Sequence, residues 1–140
     1  MKTLILTLIT ICTLQFAIAQ ETSSLSLSVN VEGISEYKGS LILSIFNSEE
    51  TYLNQPLERK VIDLETQKQH EFVFSNLVKG EYAITVIHDE NKNGKLDMGM
   101  MRPTEGLGYS NNARGMFGPA DYDDVRMTIN ENTTTTIKLK

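Results

Sequence analysis

Apolar and polar residues alternate along most of this chain. In residues 24–31, Leu25, Leu27, Val29 and Val31 alternate with Ser24, Ser26, Ser28 and Asn30, the pattern of a half-buried strand. A second strand is predicted over 40–46. Leu41, Leu43 and Ile45 share one face, while Ile42 and Phe46 point the other way, so this strand should be central and covered twice. Residues 47–53 read as a loop or one helical turn capped by Ser48 and stopped by Pro56. Short strands follow over 59–64 and 71–77, the latter with Phe72 and Phe74 on one face. Residues 81–88 send Tyr82, Ile84, Val86 and His88 to one side and Ala83, Thr85 and Ile87 to the other. Two last strands are predicted over 125–129 and 133–139, the second favoured by the β-branched run from Thr133 to Thr136.

That makes seven strands and no long helix. The expectation is an all-β, single antiparallel β-sandwich with Leu41, Leu43, Ile45, Phe72, Phe74, Tyr82, Ile84 and Val86 between its sheets. Residues 89–122 break the pattern. Glycines 99, 106, 108, 115 and 118 crowd there with Pro103 and Pro119, and Leu107, Tyr109, Met116 and Phe117 argue against simple disorder. A packed, Gly-rich loop against one end of the sandwich is expected.

The N-terminus changes the compartment. Lys2, an apolar stretch from Leu4 to Ile18 and the Ala17-Ile18-Ala19 site follow the order of a secretory leader, with residues 1–19 removed before Gln20 and residues 20–140 forming one domain. The stretch is short for a membrane span of about 20 apolar residues. Cys12 lies within it and is preceded by Ile11, not by the small residue that a lipidation site needs. The mature chain then holds no cysteine, which excludes disulfides, a thiol nucleophile and Cys-ligated zinc. Loss of Lys2 leaves 12 basic against 18 acidic residues, a net charge of −6. Nucleic acid and anionic lipid are poor partners for such a chain, and no insertion into the membrane is expected after cleavage. A secreted or periplasmic protein of the bacterial envelope is expected, with a protein or glycan partner left open.

Candidate chemistry gathers at residues 88–97. Asp89, Asn91 and Asn93 hold positions one, three and five of a calcium loop, and Gly94 permits the reversal that follows. Lys95 could offer its backbone carbonyl, and Asp97 could bind through water. Position twelve is Met100, where an EF-hand has glutamate, and a strand instead of a helix precedes Asp89. Any calcium site here is therefore a half-site, to be completed by Glu105, Asp121 or Asp123. The same residues also read as a plain turn, because Asn-Gly is a hairpin signal and Asp and Asn cap their own backbone. Two alternatives stand beside calcium. One is a copper site from Met98, Met100, Met101 and Met116 with His88. The other is a small hydrolase-like enzyme under the 97–119 loop. Its expected sign is a deep pocket lined by Glu105, Tyr109, Ser110 and Asn111, although Ser110 lies outside any G-x-S-x-G motif.

The residue order Gly80-Glu81-Tyr82-Ala83, His88-Asp89-Glu90-Asn91-Lys92-Asn93-Gly94-Lys95-Leu96-Asp97, then Pro103-Thr104-Glu105-Gly106-Leu107-Gly108-Tyr109-Ser110-Asn111-Asn112 resembles the bacterial family DUF2141. The resemblance spans most of the mature chain. It implies an exported protein with an immunoglobulin- or prealbumin-like sandwich, and it implies no reaction.

Overall fold

The computed structural model describes residues 24–140, so the leader and its cleavage site at Ala19–Gln20 lie outside the described residues. Strands run β1 (Leu25–Glu32), β2 (Ser40–Phe46), β3 (Glu58–Asp63), β4 (Glu71–Leu77), β5 (Gly80–Asp89), β6 (Gly106–Tyr109), β7 (Met127–Ile129) and β8 (Thr133–Lys138). A 3-10 turn, Ser110–Asn112, and one short helix, α1 (Tyr122–Val125), lie between β6 and β7. One sheet has the order β4-β1-β8. The other has the order β3-β2-β5-β6, with β7 also pairing to β5.

The alternation in the sequence becomes a layered core. Leu27, Val29, Leu41, Leu43, Ile45, Phe74, Ile84 and Val86 are fully shielded between the sheets, and Phe72 and Tyr82 nearly so. The apolar phases of β1, β2, β4 and β5 thus face one another, as the period-two pattern requires. A smaller cluster of Phe46, Tyr52, Ala83, Tyr109, Ala120 and Val125 covers part of the outer face of β2 and β5.

Strand β5 organises the larger sheet. Along one edge it pairs antiparallel with β2, from Ser40↔Asp89 to Phe46↔Ala83. Its other edge is shared. β6 takes Thr85 to His88, and β7 takes Gly80 to Tyr82. At the corner, Leu107 and Lys140 exchange two backbone hydrogen bonds of 3.2 Å, so β6 links the larger sheet to the end of the smaller one. The approach there is close. A Cβ on Gly108 would stand 2.6 Å from Ile137 Cγ2, which is why glycine occupies that position.

The expected all-β sandwich is present, and three of its details differ from the expectation. There are eight strands among the described residues, because β6 lies inside the segment read as an irregular loop. Its Gly-Leu-Gly-Tyr sequence alternates glycine with large residues instead of polar with apolar, and its glycines answer to the neighbouring sheet. The sandwich is also not wholly antiparallel. β1 and β8 pair in parallel, from Leu27↔Thr133 to Glu32↔Lys138. Alternation fixes which face a side chain takes and says nothing of a partner's direction. Finally, the strand expected from Val125 begins at Met127, after helix α1 ends at Val125. The segment after β2 is as expected: Ser48 Oγ accepts the N–H of Thr51, and Tyr52 N donates to Glu49 O.

Candidate functional site: the loop after strand β5

Asp89 is the last residue of β5 and turns to the outer face of the sheet, opposite Ser40. It is 1% exposed. Its Oδ1 accepts the N–H of Asn93 at 3.0 Å, and its Oδ2 accepts the N–H of Gly94 at 2.7 Å. One carboxylate thereby closes the loop on itself. The reversal needs left-handed backbone at Lys92 (φ 59°) and Gly94 (φ 79°). Beneath it, Gly39 also has positive φ, and a Cβ there would stand 2.3 Å from Asp89 O, so the crossing requires glycine.

The remaining oxygens gather over this turn. Asn91 Oδ1 accepts the N–H of Asn93, and Asn93 Oδ1 accepts that of Lys95. Both amides then give their Nδ2 groups to the Asp97 carboxylate, Asn91 to Oδ2 and Asn93 to Oδ1. Asp89, Asn91, Asn93 and Asp97 are therefore one hydrogen-bonded cluster. Lys95 joins it through its backbone N–H. Among the described residues, no three His, Cys, Asp or Glu side chains form a metal-ligand group, so carboxylates alone do not make a cation site here and asparagine or backbone oxygens would have to join them.

Of the three completing residues offered from the sequence, Glu105 is the one that lies at the loop, and its bracing role is what the sequence did not reveal. Glu105 is 7% exposed. Its Oε1 accepts the N–H of Glu90 and its Oε2 that of Asp97, each at 3.0 Å. It braces both ends of the loop from beneath. The one available signal was a lone carboxylate immediately before a Gly-x-Gly segment. Asp121 and Asp123, offered as completing ligands, lie elsewhere. They flank or enter α1, which packs through Val125 beside Phe46 and Ala83, while Asp89 sits six residues further along β5. At strand rise that is about 20 Å. Asp123 pairs with Arg126 there instead.

Two basic side chains tie the loop to the sheet edge. Arg59, on β3, donates to Gly94 O at 2.8 Å. Lys92 reaches Asp63 at 2.9 Å and Glu65 at 3.1 Å. The Lys92 contact holds the Asp63 carboxyl below its ordinary value, and Asp63 with Glu65 raises the Lys92 ammonium.

The residues expected to line a deep pocket are engaged internally. Ser110 is fully buried. Its Oγ accepts the N–H of Ile84 at 3.0 Å and donates to Val125 O. Asn111 Nδ2 donates to Asp124 O and Arg126 O at the end of α1. Tyr109 packs into the outer cluster, where burial raises its phenol. The copper set does not converge. Met98, Met100, Met101 and Met116 are 62%, 101%, 88% and 87% exposed, while His88 is 2% exposed with Nε2 against Lys38 O at 2.9 Å.

The fold and this loop define a two-sheet β-sandwich with an acidic, asparagine-rich turn braced by a buried glutamate. The chain belongs to the DUF2141 family, described as an uncharacterized protein conserved in bacteria, whose model matches residues 29–138. No curated protein and no solved structure matches it.

Proposed function

We propose that this chain is an exported binding or structural module of the bacterial envelope whose 89–97 loop is stiffened by calcium. One observation carries the calcium reading: two asparagine amides are gathered on the Asp97 carboxylate, over a turn that the Asp89 carboxylate closes. An amide offers nitrogen or oxygen according to its rotation about the last side-chain bond. With both amides turned, two carbonyl oxygens would face Asp97, and a hard cation between them would remove the repulsion. The rotation forfeits the bonds to Asn93 N and Lys95 N, and a loop already satisfied by itself competes with the ion. Affinity should accordingly be weak, on the order of 10⁻⁴–10⁻³ M, as in extracellular modules.

The test is calorimetric titration of calcium into chelator-treated protein lacking residues 1–19, with thermal melting alongside. At about tenfold excess over Kd, calcium should add about 1.4 kcal/mol to stability by mass action. Asp97→Asn preserves the shape and should remove the effect. Magnesium should do less, since it demands octahedral geometry and gives up water reluctantly. No heat and no change in melting would leave the loop a turn.

A further inference from the structure

A cleft of about 190 Å³ opens on the outer face of the larger sheet, away from the 97–119 segment. Its floor comes from Ile42 and Ser44 of β2 and Thr85 and Ile87 of β5. Leu53 and Pro56 stand along one side, and Arg59 with Gly94 along another. Register places three polar groups in one row: Arg59 opposes Ser44, and Ser44 opposes Thr85. Directly opposed residues point to the same face, and neighbouring strands lie about 4.8 Å apart, so the row is about 10 Å long.

Among the described residues, Ser44 and Thr85 have no side-chain hydrogen bond, and Arg59 has one. Ser44 and Thr85 are 8% and 5% exposed. Neither is sealed in as an orphan, so both open onto the cleft. Arg59 takes part in no ion pair among the described residues, unlike Lys38, Lys60, Lys92 and Arg126. Its single bond, to Gly94 O, leaves most of its five N–H donors free and fixes the guanidinium at the rim.

We propose that this cleft binds a small organic carboxylate bearing a second hydrogen-bonding group and an apolar body. The guanidinium fork matches a planar carboxylate. The hydroxyls of Ser44 and Thr85 reach a polar group one strand spacing or more away, and Leu53, Pro56 and Ile87 meet the apolar body. The volume is below that of pockets for drug-sized molecules, which limits the ligand to a compact one. The site needs no metal and stands apart from the calcium reading.

N-acetylleucine supplies the three features and is the probe. It is titrated into isotopically labelled protein in chelator, with amide shifts and heat recorded. We expect a Kd of about 1 mM and shifts centred on Ser44, Arg59, Thr85 and Ile87. N-acetylleucinamide lacks the charge and should bind about tenfold more weakly or worse. Arg59→Gln can still donate to Gly94 O, and it should weaken the carboxylate about ten- to a hundredfold while core shifts stay unchanged. Ser44→Ala should weaken it about two- to tenfold. The proposal is overturned if these four residues do not respond well above that concentration, or if the neutral amide binds equally. Inorganic phosphate binding as tightly as N-acetylleucine would overturn it too, because a bare anion uses neither apolar wall.

Discussion

Asn112 gives its Nδ2 to Thr136 O at 3.1 Å and takes the N–H of Lys138 on its Oδ1 at 2.8 Å. That is the pair of bonds a neighbouring strand would supply to β8. Asn111 and Asn112 both sit at positive φ, which asparagine accepts more readily than most residues. Ser110, next to them, makes its bonds where water does not reach. The two positions should therefore differ when truncated. Ser110→Ala leaves the Ile84 N–H and Val125 carbonyl unpaired in the interior, and should cost about 1–3 kcal/mol. Asn112→Ala opens groups that solvent can satisfy, and should cost about 0.5–1.5 kcal/mol. Urea unfolding of both variants checks the order. The sequence marked this Ser-Asn-Asn run without its role, because its partners lie on β5, α1 and β8.

Among the elements, the loop after β5 is held to the β3–β4 corner by Lys92. Asp63 is partly exposed, and its carboxyl is lowered chiefly by the Lys92 hydrogen bond. A carboxyl depressed in the folded state adds stability above its unfolded value of 3.8, and that stability is lost as pH falls through the folded value. Lys92→Met should bring the Asp63 titration back up toward 3.8, read by NMR, and salt should shrink the difference because both groups are solvated. The strands themselves were legible wherever alternation was strong, as in β1, β2 and β5. The candidate loop was legible too, since its oxygens lie at short spacing. What lay hidden depended on distant partners. Glycine 108 is dictated by Ile137, and the brace from Glu105 depends on β6 lying beside β5.

At the scale of the whole molecule, the order of the first residues argues for export. The mass of protein recovered from the cell envelope should lack residues 1–19, and a full-length chain held in the membrane would contradict the leader reading. The proposed travel of this chain gives the parallel pair β1–β8 a further meaning. Asn132 accepts the N–H of Ser26 across 106 positions, and β8 begins beside it. The smaller sheet is incomplete until the last strand has emerged, with β1 bonded to β4 alone. Contacts of such long range close slowly, because the loop entropy comes before the reward. A chain still being made thus has no finished sandwich to fold into. On the export reading, a secretion channel would meet the chain before β8 has closed this sheet, while it can still be threaded.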